Sequence, residues 1–470
     1  MEKSHLVHIL RTLDKKEIRE LKKWVASPAH NLRQDVVDLL EFLLSGNHLY
    51  NEKDLEKEKV FGAVYPDRTF SDSELRQVIH FLLKATEEYL LYNELFKDEV
   101  SSKTALAKVY RQRQLPRLFQ KTIDSVQKLQ EQQPRRNHQY YENEYALQFE
   151  QYSYLSGLSR TVPLNLQEVS DANDVAYLTN KLRLSCIMLS HQTVFKTEYK
   201  MGLLNDVLNR VEAEPAYLEI PAIAIYYFSF KAISEKTNKE FFQKLKEQIL
   251  LHGDLFPTEE IRVIYLLAIN YCIGRMNEGD SDFVNESYQL YKEGFGKNIF
   301  LENGILSRFT FGNAIMIALN LKEYQWAENF IKDFSDYLEE KHRDYNVHFY
   351  LARLHFEKKD YPKAMQLFVQ ADYDDILMTL VAKTMLLKMY FELDEYNALE
   401  SLLGSMRTYL QRKKVMGYHK ANYKNIIHFT KKLLKVTPYD KAQKEKLRLE
   451  LAGTNPLTER KWLMEQLERM

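Results

Sequence analysis

Apolar residues recur at helical spacing along nearly the whole chain. In "LDKKEIRELKKWVASP", Ile18, Leu21, Trp24 and Val25 fall on one face, Asp14 is placed to cap the first turn, and Pro28 stops the pattern. "RQDVVDLLEFLLSGN" predicts a second helix ending at Gly46. "FSDSELRQVIHFLLKATEEYLLYNEL" predicts a long third helix with Ser71 or Ser73 as its cap. Its stripe of Leu75, Val78, Ile79, Leu82, Leu83 and Tyr89 would face a core. Residues 1–98 therefore read as a small N-terminal helical domain.

From about Ser101 the pattern becomes helix, short polar joint, helix. "SSKTALAKVYRQRQ", "LPRLFQKTIDSVQKLQEQ" and "PRRNHQYYENEYALQFEQYSYLSG" follow one another, with Pro116 and Pro134 near helix starts. Residues 99–300 read as a degenerate helical-repeat region without a low-complexity linker. Beyond 300 a period emerges. "LNLKEYQWAENFIKDF", "FEKKDYPKAMQLFVQA" and "YFELDEYNALESLLGSM" share a polar joint, a tyrosine and an amphipathic helix. Their tyrosines, Tyr324, Tyr361 and Tyr396, are spaced by 37 and 35 residues. Such a period predicts helix-turn-helix units that bury their faces only against neighbours. Residues 301–436 hold these units and a basic terminal helix. Residues 437–470 read as a capping segment, in which Asn455 caps, Pro456 opens a helix, and Leu457, Trp462, Leu463 and Leu467 form its buried side.

The best-matched unit pairs Leu351 with Ala352 in its first helix and sets Ala364, Phe368 and Ala371 as small, large and small positions in its second. Asp360 can cap that second helix, and Pro362 lies in its first turn, where a missing N–H is harmless. On these residues the chain resembles the tetratricopeptide-repeat family. Ile315 replaces a small residue in the unit before, and Ala398 is out of step by one in the unit after. "LKKWVASPAHN" and "NPLTERKWLMEQLERM" also resemble the ends of bacterial proteins of this repeat type. The resemblance implies an all-α fold: a small N-terminal helical domain, then an α-solenoid of helix-turn-helix repeats with a C-terminal capping helix. It also implies a concave groove, lined by the first helices, that holds an extended peptide or a partner's helix. Met316, Arg353 and Lys388 match groove positions at one equivalent place in three successive units, and Asn346, Phe349 and Phe356 belong to the same face. Two stacked cations there suit a carboxylate. The asparagines of the family's carboxylate clamp are not reproduced.

Composition agrees with helices. The chain has 14 Gly and 11 Pro in 470 residues, far below the usual ~12% for the two together. Its length exceeds one ordinary core. Two cysteines, Cys186 and Cys272, exclude a disulfide framework or a cysteine-rich metal site, and suit a reducing cytoplasm. "IPAIAIYYFSF" and "VIYLLAINYCIG" are shorter than the ~20 residues of a membrane span, so no membrane insertion is expected.

Motifs for chemistry are lacking. There is no HExxH, nucleophile elbow or Walker A sequence. "KEGFGKNIF" has the wrong glycine spacing for a phosphate loop and reads as a loop between helices. His5 with His8, and His348 with His355, lack ligand company at metal spacing. The expectation is a protein that is not an enzyme and takes no cofactor and no metal.

Charge adds one feature. Lys+Arg and Asp+Glu both total 66, yet residues 407–448 carry 13 Lys and Arg against Asp440 and Glu445 alone. At ~100° per residue, Lys413, Lys420, Lys424, Lys431 and Lys435 share one face, opposite an arc containing Tyr418, Tyr423, Ile426, Ile427, Phe429, Leu433 and Leu434. Lys103 to Arg136 is a second basic stretch. The sequence thus predicts a helical-repeat scaffold or adaptor that binds a protein or peptide partner on its concave face. The alternative is a nucleic-acid-associated protein that uses the lysine stripe.

Overall fold

Asp14 begins a helix as its sequence predicts. Its carboxylate accepts from the Lys16 and Glu17 amides while the Glu17 carboxylate accepts from the Asp14 amide, satisfying donors that the first turn leaves open. Local rules of this kind operate throughout the computed structural model, which describes residues 1–158, 161–195, 197–370, 375–412 and 417–470. The fold is all-α. Among the described residues there are 23 α-helices and one two-stranded hairpin.

The chain divides into an N-terminal body, Met1–Lys181, and a C-terminal body, Leu182–Met470. The first holds α1 (His5–Thr12), α2 (Lys15–Ala26), α3 (Gln34–Leu44), α4 (Lys57–Val64), α5 (Asp72–Lys97), α6 (Glu99–Gln112), α7 (Pro116–Gln132) and α8 (His138–Leu155). Helix α9 (Leu166–Phe195) passes through the division at Lys181. The five helices from α1 to α5 enclose a core of their own, built from Leu6, Leu10, Leu21, Val25, Leu39, Phe61, Leu82 and Tyr89 among others. Of the predicted stripe on α5, Leu75, Val78, Leu82 and Tyr89 are buried, and Ile79 and Leu83 pack at the edge. A separate cluster joins Val100 and Ala107 to Phe119, Ile123, Val126 and Leu147 across α6, α7 and α8. There the Arg111 guanidinium forks onto Glu150 at 2.6 and 3.2 Å.

The C-terminal body continues with α10 (Leu204–Ala213), α11 (Pro221–Ser234), α12 (Lys239–His252), α13 (Thr258–Asn277) and α14 (Asp282–Gly296). Strands β1 (Leu301–Glu302) and β2 (Ile305–Leu306) come next. They precede α15 (Arg308–Asn320), α16 (Tyr324–Phe334), α17 (Glu340–Glu357), α18 (Tyr361–Gln370) and α19 (Ile376–Glu392). The last four are α20 (Tyr396–Arg412), α21 (Gly417–Leu433), α22 (Lys441–Gly453) and α23 (Arg460–Arg469). Consecutive helices pack as pairs: α11 with α12, α13 with α14, α15 with α16, α17 with α18, and α19 with α20. The leading helices of neighbouring pairs also touch, as α15 does α17 and α17 does α19.

Three of these pairs share one joint. Lys322, Lys359 and Asp394 each adopt a left-handed conformation, with φ of 63°, 59° and 57°. The amide of the next residue then reaches back to the carbonyl five residues earlier: Glu323 to Ala318 at 2.9 Å, Asp360 to His355 at 2.8 Å, and Glu395 to Tyr390 at 2.9 Å. This arrangement satisfies carbonyls that a helix end leaves open. Each second helix starts at the tyrosine singled out above, Tyr324, Tyr361 or Tyr396. Three positions further on stand Ala327, Ala364 and Leu399, all fully buried, and four beyond those come Ile331, Phe368 and Leu403, nearly so. Burying one such large side chain contributes roughly 1.5–3 kcal/mol. Tyrosines also tie pairs together: the Tyr324 hydroxyl donates to the Glu357 carbonyl at 3.3 Å, and that of Tyr361 to the Glu392 carboxylate. Ala371 lies outside the described residues.

Two local expectations change. The glycines of "KEGFGKNIF" form no loop: Gly294 and Gly296 complete α14. Gly294 sits so close to Phe300 that an added Cβ would stand 2.4 Å from its ring, so the residue serves packing. Lys297 at this helix end pairs with Asp254 at 3.1 Å. The terminal helix starts at Arg460 rather than Pro456, because the Pro456 carbonyl accepts a hydrogen bond from Asn425 Nδ2 at 2.8 Å and residues 454–459 turn before the helix begins.

Candidate functional site

The six groove positions fall in two places. Asn346, Phe349 and Phe356 on α17 are buried, and both phenylalanines pack with Ala352, Ala364, Phe368, Ala382, Met385 and Met389 between neighbouring pairs. Asn346 Nδ2 donates to the His342 carbonyl one turn earlier. Met316, Arg353 and Lys388 are half-buried. Arg353 and Lys388 each retain 13% side-chain exposure. This face is filled with protein.

At Lys388 the filling comes from the C-terminal segment. Glu459, held with φ 55° immediately before α23, places its carboxylate 2.8 Å from Lys388 Nζ. The same ammonium lies over the rings of Phe356 and Trp462, at 5.2 and 5.8 Å. Trp462 Nε1 donates to Glu392 at 2.7 Å, and its ring meets Phe391 edge-on. Leu463 and Leu467 complete the buried side of α23. Arg353 receives less: Glu357 is 3.9 Å away, Nη1 meets the Met385 sulfur at 3.5 Å, and Nε has no hydrogen-bond partner. Burial pushes its pKa down, with Glu357 and then Glu459 opposing the shift. The Tyr361 hydroxyl is pushed up, by burial first and then by the Glu392 carboxylate.

An open cavity lies on the preceding leading helices. It has a volume of about 440 Å³ and is lined by Arg262 and Leu266 of α13, the hairpin, the start of α15, and Glu339 and His342 where α17 begins. The hairpin folds because Asn303 and Gly304 both take positive φ, 52° and 77°, as a two-residue turn between right-twisted strands requires. Arg262 holds it in place, donating to the Ile299 and Leu301 carbonyls at 2.8 and 2.6 Å. Arg308 Nη1 donates to the Tyr345 hydroxyl at 2.9 Å, and that hydroxyl lies 2.6 Å from His342 Nδ1. Phe309 is 69% exposed, and the Arg308 guanidinium sits 4.9 Å from its ring centroid. Glu339 stays below the usual carboxylate range because Lys341 hydrogen-bonds it. The cavity therefore joins an apolar floor of Leu266, Phe300 and Leu306 to two arginines, a histidine and two glutamates, of which Glu302 lies 4.0 Å from Arg262. The Asn303-Gly304 pair marks the hairpin inside a helical text, but no sequence signal marks the cavity itself.

The lysine stripe stays in solvent. Lys424, Lys431 and Lys435 are exposed and Lys420 is half-buried, and none pairs with a described acidic residue. Lys413 lies outside the described residues. Behind the stripe, Tyr423, Ile426, Ile427, Phe429 and Leu433 are buried, Leu434 packs against them, and Tyr418 is exposed at the helix start. Lys432 ties α21 to Glu450 of α22, and that hydrogen bond holds the Glu450 carboxyl below its ordinary range. In the second basic stretch, Lys103 and Arg111 pair with Glu99 and Glu150.

Other chemistry-bearing groups are used structurally. His355 Nδ1 lies 3.1 Å from Asp360 at a joint, and His348 Nδ1 lies 2.7 Å from the Asp344 carbonyl. Burial raises the pKa of both cysteine thiols. Among the described residues, no group of three or more His, Cys, Asp or Glu is placed to hold a metal ion, and no helix is long and apolar enough to cross a membrane. Comparison with protein-family models, curated proteins and solved structures finds no match.

Proposed function

We propose that the C-terminal body is an α-solenoid of tetratricopeptide-like helix-turn-helix repeats and acts as a non-enzymatic scaffold for a protein or peptide partner. The partner segment binds on the face of the leading helices, in the cavity between α13, α15 and α17. One observation carries this reading: an open, amphipathic cavity spans three successive leading helices, with Arg262, Arg308 and His342 beside an exposed Phe309. An apolar side chain suits its floor, and an adjacent carboxylate suits the arginines. The equivalent face at Arg353 and Lys388 already holds Glu459 of the chain itself, so it is occupied by the same ligand chemistry.

A displayed peptide library selected on the intact protein tests the reading. Enriched peptides should carry an acidic residue next to an aromatic or aliphatic one. Arg308→Glu combined with Phe309→Ala should weaken their binding at least tenfold, about 1.4 kcal/mol. Peptides that bind both proteins equally would place the site elsewhere.

A further inference from the structure

We propose a second binding surface, independent of the peptide cavity: the outer face of α21 and its cleft with α22 bind the phosphate backbone of a nucleic acid. Lys420, Lys424, Lys431 and Lys435 run over about 22 Å along one side of α21 and the turn after it, at 1.5 Å per residue. His428, also exposed, falls on the same arc. The other face of this helix is anchored in the core through Ile426, Phe429 and Leu433, so the cations are presented on a fixed rod.

The cleft extends the row. A cavity of about 270 Å³ between the two helices is lined by Lys432, Lys435, Lys446 and Gln443, over Val436 and Leu447, with Glu450 as its one lining acid. Beside it Tyr439 is 93% exposed, an aromatic face offered to solvent in the turn that carries Lys435. Lys432 is held by Glu450, but Lys420, Lys424, Lys431 and Lys435 pair with no described acidic residue, in a chain whose net charge is zero and whose lysines elsewhere commonly pair, such as Lys57 with Asp72 and Lys246 with Glu286.

Residue type favours phosphate over carboxylate. The stripe is made of lysine and histidine without arginine, so it offers point charges rather than the planar forks that grip carboxylates two-pronged. A linear row of point charges matches a polymer with a charge at every step, where binding gains by counterion release. Tyr439 gives an unpaired base a surface to stack on.

The test uses the full chain and fluorescence anisotropy of a labelled oligothymidylate of about 20 nucleotides, with a duplex of equal length and an RNA strand as parallel arms. Four neutralised phosphates predict a slope of about −3 in log affinity against log salt for a single strand, and near −4 for duplex. Lys424→Glu, Lys431→Glu and Lys435→Glu together should lower affinity at least tenfold at ~50 mM salt and flatten the slope by about 2. The matching arginine triple should retain binding, which separates charge from a folding defect. Tyr439→Ala should weaken the single strand several-fold and leave the duplex unchanged. The proposal is overturned if none of the nucleic acids binds with a salt slope, if the glutamate triple binds as the wild type does, or if polyglutamate or anionic phospholipid vesicles bind as tightly as the nucleic acids.

Discussion

Lys388 and Lys431 both project from helices of the C-terminal body, and both belong to lysine or arginine rows that sequence periodicity picks out. Their fates differ. Lys388 lies between Phe356, Trp462 and the Glu459 carboxylate, while Lys431 meets solvent. Helical periodicity sorts residues onto faces, but it does not say which face a distant segment will cover. Glu459 is 71 residues from Lys388, beyond the reach of any local pattern. Lys388 on α19 thus owes its burial to the C-terminal segment, whereas among the described residues no such segment covers the cavity at α13, α15 and α17.

The largest expected effect breaks the closed side. Leu463→Ala removes a fully buried side chain from α23 and should cost about 3 kcal/mol in urea unfolding. A loss under about 1 kcal/mol would mean that α23 is only loosely seated. Gly312→Ala comes next, since a Cβ there would stand 1.9 Å from the Tyr350 hydroxyl where α15 meets α17. It should cost about 1–3 kcal/mol, and an unchanged midpoint would refute this close approach. A pair of lysine changes separates the two rows. Lys388→Met strands Glu459 beside Trp462 and should cost about 1 kcal/mol, the partial exposure of both groups reducing the penalty for breaking a buried pair. Lys431→Met should stay within about 0.5 kcal/mol. Equal costs would erase the distinction between the two rows. Smallest and opposite in sign, Lys359→Gly relieves a left-handed joint and should stabilise by about 0.5 kcal/mol.

Much of the architecture was legible because helices declare themselves locally. Asp14, Ser71 and Pro116 mark starts, and the three tyrosines mark the first residues of α16, α18 and α20. Joints were harder to specify, since Lys322, Lys359 and Asp394 take a conformation usually signalled by glycine. A helix turned at those sites because its hydrogen bonds and the burial that follows outweigh about 1 kcal/mol of local strain. The hairpin had a legible signal in Asn303-Gly304, masked by the helical text around it. The cavity had none, because Arg262, Arg308 and His342 are brought together only by the packing of three leading helices.

The leading-helix face is open at α13, α15 and α17, and at Lys388 on α19 it is closed by the C-terminal segment. The most direct measurement is a titration of one selected acidic–apolar peptide against the wild type, the Arg308→Glu/Phe309→Ala variant and Lys388→Met. Binding should fall at least tenfold for the first variant and keep wild-type affinity for the second. Loss of binding in Lys388→Met, with full affinity in the Arg308 and Phe309 variant, would contradict this.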